Sequence, residues 1–243
     1  MYYVEFVKYL YSYYGNCYIH KISDKGRKFI MLNCQNILVI GAHFDDAELG
    51  CGGTMARFAN EGKKVYKLTL TDNKTDFKQR NINVNFEESL SDSKRACEVL
   101  GVMEIDNFPF IECNMLKYET EVMQKIEQII FEKNIDTVFI HFDVDLNKDH
   151  VAASLLSETA ARHCRNVLYY QSNGYVLNKA FYPTIFIDIT DFYDKKAKAL
   201  YEYKGDHNRY DRLFDISLMR TEVWGYANEV KYAEGFMPLK VCF

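Results

Sequence analysis

The sequence predicts one α/β domain of the Rossmann-like type, in which a mostly parallel sheet carries helices on both faces, and two observations lead to this prediction. From Asn36 onward, short β-rich apolar runs alternate with stretches of helical periodicity, which is the pattern of βαβ units. The chain has 243 residues, 48% of them hydrophobic and 26% charged, which is ordinary for a globular domain with a substantial core. We therefore expect a single domain over residues 36–243.

The predicted elements follow the chain in order. Strand NILVIGAH (36–43), helix 48–61 and strand KVYKLTLTD (64–72) form the first βαβ unit. The later elements are helix 87–100, which Gly101 ends, an extended piece near 103–109, helix 119–133, strand 136–143, helix 149–163, strands 167–172 and 184–190, and two late helices. Strands that alternate with helices in this way indicate a parallel sheet.

Two segments fall outside this alternation. Residues 1–35 form an N-terminal extension with a tyrosine-rich start. This extension is an added hairpin, a contact in a homo-oligomer, or a segment that the rest of the fold does not need. Segment 73–86 is polar and aperiodic, and it follows the second strand at the edge where doubly wound sheets bind ligands. It is either a substrate loop or a solvated connection.

The composition excludes several classes of protein. A net charge of −4 provides no basic surface for a nucleic-acid backbone, so we expect a small-molecule substrate. No apolar run reaches the length of a membrane span, and the N-terminus lacks the features of a signal peptide. The seven cysteines are scattered without a C-x-x-C pair, which favours reduced thiols and a cytoplasmic location.

Three polar residues follow the first predicted strand: His43, Asp45 and Asp46. Adjacent carboxylates at the end of a buried run are costly unless a cation offsets their charge. His43 and Asp46, three residues apart in a tight turn, supply nitrogen and oxygen ligands for a divalent cation, and Asp45 remains as an unbound base. The alternative is purely structural, with Asp46 or Glu48 capping the next helix.

A second set of metal-type residues begins at the end of the predicted strand TVFIH. A catalytic zinc site commonly has three protein ligands and one open position, so we expect the third ligand to come from this set. Its members are His141, Asp143, Asp145, Asn147, Asp149 and His150. The residue types alone do not choose among them.

The glycines of GCGG (50–53) do not form a dinucleotide-binding loop. The G-x-G-x-x-G spacing is missing, and acidic residues stand where the phosphates of a dinucleotide lie. Nicotinamide and flavin cofactors are therefore not expected. We expect these glycines to let the first helix pack closely on the sheet.

The two polar clusters resemble the motifs of the PIG-L/LmbE-like zinc-dependent deacetylases, which hydrolyse N-acetyl groups of glucosamine-containing substrates. The first motif of that family, A-H-x-D-D followed by E-x-G-x-G-G, is similar to AHFDDAELGCGG, with Phe44 where proline is usual. The second motif, H-x-D-H, falls on NKDH (147–150), and YAEGF (232–236) is similar to the family's YAEAF ending. The resemblance extends from Asn36 to the C-terminus and implies an LmbE-like fold.

The resemblance implies a role for each motif residue. His43, Asp46 and His150 are the zinc ligands, with Fe²⁺ or Co²⁺ as other metals that such a site accepts, and Asp45 is the general base. Asp149 orients a histidine or meets a substrate hydroxyl. Asn147 stands where many members have a histidine. An asparagine amide donates a hydrogen bond to an oxyanion but delivers no proton at neutral pH.

The predicted function is hydrolysis of the N-acetyl group of an amino sugar or of its nucleotide-, lipid- or glycoside-linked conjugate. Because Asn147 delivers no proton, the leaving amine receives one from Asp45, His141 or His207. One alternative is a non-catalytic carbohydrate- or nucleotide-binding module that keeps the fold, and another is a deacylase of a non-sugar amide. We expect Arg220 and Trp224, at helical spacing, to support packing rather than flank a sugar.

Overall fold

Strands and helices alternate along the described part of the chain, which in the computed structural model covers residues 32–80, 82–175, 178–203 and 207–242. Residues 34–241 form one compact unit, and the prediction for residues 1–35 falls almost wholly outside the described residues. The elements are β1 (Asn36–Gly41), α1 (Asp46–Asn60), β2 (Lys64–Thr69), β3 (Thr75–Phe77), β4 (Ile82–Val84), α2 (Phe86–Leu100), β5 (Met103–Ile105), α3 (Thr120–Glu132), β6 (Thr137–His141), α4 (Lys148–Ala160), β7 (Asn166–Tyr170), β8 (Ile185–Asp188), α5 (Tyr193–Leu200), α6 (His207–Ala227) and β9 (Ala233–Lys240).

Seven of the described strands form one sheet, in the order β5-β2-β1-β6-β7-β9-β8. The strands from β5 to β7 are parallel, and β9 is antiparallel to both β7 and β8. Numbered along the chain, the parallel strands have the order 3-2-1-4-5, which is that of a doubly wound sheet. The predicted fold class is therefore confirmed. The strand order reverses between β1 and β6, and such a reversal opens a crevice at the carboxyl ends of the two strands.

The central strands are buried on both faces, as expected for parallel strands covered by helices. Every residue of β6 and β7 is buried, and so is β1 apart from Asn36. Leu38 and Ile40 of β1 belong to the core under α3 and α4. On the other face, α1 packs against α2 and α5. None of the helices in the described residues combines the length and the apolar character that crossing a membrane requires.

The C-terminal strand β9 is the main difference from the sequence prediction. Gly235 and Pro238 weaken its strand pattern, so no strand is predicted there. In the structure β9 lies between β7 and β8. Pro238 pairs with Leu168 next to a shift of register at Val167 and Leu168, and such irregular positions tolerate a proline that donates no hydrogen bond.

The polar segment 73–86 also contains more structure than the sequence suggests. Thr75–Phe77 and Ile82–Val84 form the antiparallel pair β3–β4. Helix α2 then begins after Asn85, whose side chain accepts a hydrogen bond from the backbone N–H of Glu87 at 2.8 Å. This side-chain cap fixes the end of the segment.

Glycines in the first turns of α1 allow the helix to approach the sheet closely, as the sequence predicts. A Cβ atom on Gly50 would lie 2.1 Å from Cδ2 of Tyr170 in β7, and one on Gly53 would lie 2.5 Å from Cδ1 of Ile189. At Gly52 the nearest atom is Cγ of Lys196, at 3.0 Å. The closest contact with the sheet is therefore at Gly50.

We predict that Gly50→Ala destabilises the protein, because the added methyl group overlaps the buried Tyr170 ring and overpacking of this kind costs about 1–3 kcal/mol. Urea denaturation of Gly50→Ala and Gly52→Ala measures this effect. Both variants gain the same helix propensity, so their difference reports the greater overlap at Gly50, since the contact at Gly52 is 3.0 Å and is made with a flexible side chain. Equal unfolding free energies for the two variants would contradict the prediction.

Candidate metal centre

The turn after β1 presents three of the predicted site residues. Gly41 ends the strand, and a Cβ atom there would lie 2.8 Å from the carbonyl oxygen of His43, so only glycine fits this tight turn. The carboxylate of Asp46 accepts a hydrogen bond from the backbone N–H of His43 at 2.8 Å. Asp46 is also the first residue of α1, where a negative charge is favoured. The turn therefore holds His43 and Asp46 on the same side.

His150, from the first turn of α4, meets this pair across the crevice. Its Nε2 atom lies 3.1 Å from Nδ1 of His43 and 3.3 Å from Oδ1 of Asp46. Oδ2 of Asp46 lies 3.3 Å from Nδ1 of His43. Bonds of about 2.0–2.1 Å to a tetrahedral zinc ion place two donors about 3.3–3.4 Å apart. The three side chains therefore fit a zinc-sized ion by both donor type and spacing.

The charges of this group also suit a cation. Asp46 is only 2% exposed, and burial raises its pKa, but His150 and His141 lower it more, so that the pKa lies well below its usual value. Burial lowers the pKa of His43, whereas hydrogen bonds to Asp149 and Asp46 raise it well above the usual value. An anionic carboxylate thus faces two imidazoles, and a bound cation would take the place of the proton that the raised pKa keeps on His43.

In each of the two histidines, the ring nitrogen that points away from the other donors lies next to a carboxylate. Oδ2 of Asp149 lies 3.3 Å from Nε2 of His43 and accepts the backbone N–H of Asn114 at 2.7 Å. Oδ2 of Asp145 lies 2.9 Å from Nδ1 of His150 and accepts the side-chain amide of Asn173. Carboxylates in this position fix the tautomer and the orientation of a metal-binding histidine.

The sequence predicts a role for Asp149 but none for Asp145. The structure places Asp149 behind His43, a position from which it can orient that imidazole. Asp145 belongs to the predicted cluster, but no role is predicted for it. The sequence feature that could have indicated its contact with His150 is its position five residues before that histidine, just before a helix begins.

His141 lies next to the group without joining it. Its Nε2 atom is 3.1 Å from Oδ2 of Asp46 and accepts the backbone N–H of Ala42 at 3.1 Å. Its ring stacks on that of His150, with centroids 4.3 Å apart. The geometry therefore favours His150 over His141 as the third donor.

Cys113 is a residue that the sequence reasoning missed. Together with His43 and Asp149 it forms a second group whose ligand atoms lie within 4.8 Å of one another. Its thiol lies 3.8 Å from the hydroxyl of Thr75 and accepts the side-chain amide of Asn114 at 3.5 Å. The two groups share His43, so a thiol also lies close to this imidazole.

A cavity of about 670 Å³ opens over these three donors. Asp45 and Asn147 line it with the three donors, while most other polar lining groups are neutral amides and hydroxyls: Asn73, Thr75, Asn114, Ser172, Asn173 and Tyr175. Asn73 and Thr75 belong to segment 73–86, which favours the substrate-loop interpretation of that segment. Neutral hydrogen-bonding groups of this kind suit a polyhydroxylated ligand.

The oxygen and the nitrogen of the Asn147 side-chain amide have different surroundings. Its Oδ1 atom accepts the backbone N–H of Asp149 at 2.9 Å and thereby caps α4. Among the described residues its Nδ2 has no hydrogen-bond partner, and the residue lines the cavity. The amide is therefore available as a neutral donor beside the candidate metal ion.

Two other predictions concern α6. The side chain of His207 lies outside the described residues. Arg220 donates hydrogen bonds to the carbonyl oxygens of Gln171, Ser172 and Asn173, and its guanidinium lies 5.7 Å from the Trp224 ring centroid. Arg220 thus holds the loop that lines the cavity, in agreement with the predicted packing role.

The C-terminal YAEGF motif supports α1. The buried carboxylate of Glu234 accepts the backbone N–H groups of Gly53 and Thr54 at 3.0 and 2.7 Å. It also pairs with Lys196 at 2.7 Å, and Lys196 donates to the carbonyl oxygen of Leu49 at 2.8 Å. These bonds anchor the helix whose first residue is Asp46.

We predict that Asp145→Asn weakens zinc binding about 10–100-fold, because His150 loses the carboxylate that orients it. Competition with a chromophoric chelator measures the affinity. The matched control is Asp143→Asn, since Asp143 lies in the same loop but pairs with Lys179. Equal zinc affinities for the two variants would argue against the orienting role.

Comparison with known proteins gives three kinds of match. The sequence profile of PIG-L, described as GlcNAc-PI de-N-acetylase, matches residues 38–161. The uncharacterized deacetylase YaiS of Escherichia coli strain K12 is 27% identical over 178 residues, which is 70% of this chain and 91% of that protein. Diacetylchitobiose deacetylase of Thermococcus kodakarensis is 26% identical over 183 residues, 68% of either chain.

The fold is also similar to that of solved structures. The conserved protein TT1542 of Thermus thermophilus superposes with a TM-score of 0.71 at 26% sequence identity. The match covers 88% of this chain and 97% of that one. The likeness therefore extends over most of both chains.

Proposed function

Since the chain belongs to the PIG-L family of GlcNAc-PI de-N-acetylases, we propose that it is a metal-dependent deacetylase that removes the N-acetyl group of an amino sugar or its conjugate. The observation that carries the proposal is the convergence of His43, Asp46 and His150 beside Asp45 in one cavity. We propose zinc as the metal, with Fe²⁺ or Co²⁺ as alternatives. Such an ion, when bound, supplies a Lewis acid and lowers the pKa of water to about 7.

Asp45 is the proposed general base. It lines the cavity next to Asp46 and lies outside the group of three donors within the described chain. Its carboxylate takes a proton from the attacking water and returns it to the nitrogen of the leaving amine. The C–N bond breaks, and the products are acetate and a free amino sugar.

Asn147 is the proposed donor to the developing oxyanion, through its amide Nδ2. It donates a hydrogen bond without transferring a proton. His141 is 2% exposed and lies outside the lining of the cavity in the described residues. Asp45 is therefore the proposed carrier of the proton to the amine.

The neutral amides and hydroxyls of the cavity support a sugar substrate. The name of the Thermococcus relative, a diacetylchitobiose deacetylase, supports the same class. Nucleotide-, lipid- and glycoside-linked forms of N-acetylglucosamine are the proposed candidates for the conjugate.

We further propose that the protein works in the reducing cytoplasm. Five cysteines are buried as free thiols: Cys34, Cys51, Cys97, Cys113 and Cys164. Free buried thiols are typical of reducing compartments. The proposed partner is a small molecule, and light scattering of the full chain tests whether it forms a homo-oligomer.

We predict that metal-stripped protein releases no acetate and that one equivalent of zinc restores release from N-acetylglucosamine compounds. The panel contains the free sugar, a nucleotide-linked form and a simple glycoside, together with a non-sugar N-acetyl amide. Release from the amide alone would replace the sugar substrate by a non-sugar one. Tight zinc binding with no release from any compound would favour a non-catalytic binding module.

We predict that Asp45→Ala lowers kcat by about 10²–10⁴-fold while zinc binding is retained, because a positioned general base contributes that much. His150→Ala is the contrasting variant, and it should lose the metal. Acetate release and metal content measured on the same samples check both. Wild-type turnover in Asp45→Ala would contradict its role as base, and full zinc occupancy in His150→Ala would contradict its role as ligand.

A further inference from the structure

A buried ammonium group lies directly beneath the turn that presents the metal donors. Lys67, in β2, is 0% exposed. Its Nζ atom donates to the carbonyl oxygen of Phe44 at 2.5 Å, to Glu48 at 2.7 Å and to Ser93 at 2.7 Å. The hydroxyl oxygen of Tyr203 lies 2.9 Å away as well, so the three N–H groups of the ammonium are shared among four acceptors. Side chains from β2, α1 and α2 and from the segment after α5 thus meet at one atom.

Two of these groups donate hydrogen bonds to the carbonyl oxygen of Phe44. Lys67 Nζ donates to it, and the hydroxyl of Tyr203 donates to it at 2.6 Å. Phe44 stands between His43 and Asp45, so its carbonyl belongs to the peptide unit that leads into Asp45. Because a peptide unit is planar, two donors on its oxygen fix the direction in which the chain enters Asp45 and Asp46.

Stability alone does not account for such a buried charge. Burial lowers the pKa of Lys67, but Glu48 and Glu104 raise it more, so the pKa lies above its usual value and the ammonium form persists. The gain from pairing buried charges often only offsets their desolvation, and apolar replacements are commonly as stable. What an apolar pair would lack is the second donor to the Phe44 carbonyl, beside the hydroxyl of Tyr203.

We propose that Lys67 and Tyr203 are positioning residues for the metal centre, acting through the Phe44 carbonyl on His43, Asp45 and Asp46. This inference rests on the proposed function, since it concerns the same site. A displacement of about 1 Å in a catalytic group lowers the rate by up to about 10²-fold. The effect falls on metal geometry and kcat, because the sugar-binding amides of the cavity stand on other segments.

The test compares Tyr203→Phe with Tyr170→Phe. Each variant removes one hydroxyl from a buried ring, but Tyr170 donates to the carbonyl of Ile40 in β1 at 2.8 Å instead of to the turn. The protein is loaded with Co²⁺, whose visible absorption depends on coordination geometry. Urea denaturation of both variants measures the loss of stability, and kcat and KM are measured with zinc.

We expect Tyr203→Phe to change the Co²⁺ spectrum and to lower kcat about 10-fold with KM unchanged, as a small displacement of the turn predicts. Tyr170→Phe should keep the wild-type spectrum and kcat at a similar loss of stability. A second variant, Lys67→Met combined with Glu48→Gln, removes the ammonium together with its nearest carboxylate charge and should also change the spectrum.

A wild-type Co²⁺ spectrum in both folded Tyr203→Phe and the double variant would overturn the inference. A change of equal size in Tyr170→Phe would overturn it as well, since any buried hydroxyl would then have the same effect. The Co²⁺ spectrum tests the positioning role even if the wild-type protein releases no acetate. Failure of the proposed function is therefore distinguishable from failure of the positioning role.

Discussion

The whole site depends on one constraint, the reversal of strand order between β1 and β6. These two strands are parallel neighbours. The chain leaves β1 for α1 on one face of the sheet and leaves β6 for α4 on the other face, so the carboxyl ends of the two strands open into a crevice. The turn after β1 supplies His43 and Asp46, and the segment after β6 supplies His150. Residues far apart in sequence therefore meet because the topology brings two strand ends together.

Around this crevice, buried polar groups hold one another in three places. Asp149 and Asp145 orient the two histidines, Lys67 and Tyr203 hold the turn, and the Glu234 pair with Lys196 anchors α1. The desolvation cost of so many carboxylates is high. A cation bound at the centre would offset part of that cost, which would give the arrangement a chemical reason beyond packing.

Much of the fold was predictable because apolar runs and helical periodicity are local signals. The turn of His43, Asp45 and Asp46 was predictable for the same reason, since adjacent acids after an apolar run are conspicuous. Three other features were not predictable: the position of Cys113 beside His43, the hydrogen bonds of Arg220 to the cavity loop, and the pairing of β9. Each depends on a partner that only the tertiary structure supplies. The residue types alone left His141 and His150 open, the family resemblance implied His150, and the spacing of the donor atoms favours the same residue.

X-ray absorption at the zinc edge of protein loaded with one equivalent of zinc identifies the atoms that bind the metal. If His43, Asp46 and His150 are the ligands, we expect only nitrogen and oxygen neighbours at about 2.0–2.2 Å, from the two histidines, Asp46 and a solvent molecule. A zinc–sulfur distance of about 2.3 Å would contradict it, because the metal would then lie in the group that contains Cys113.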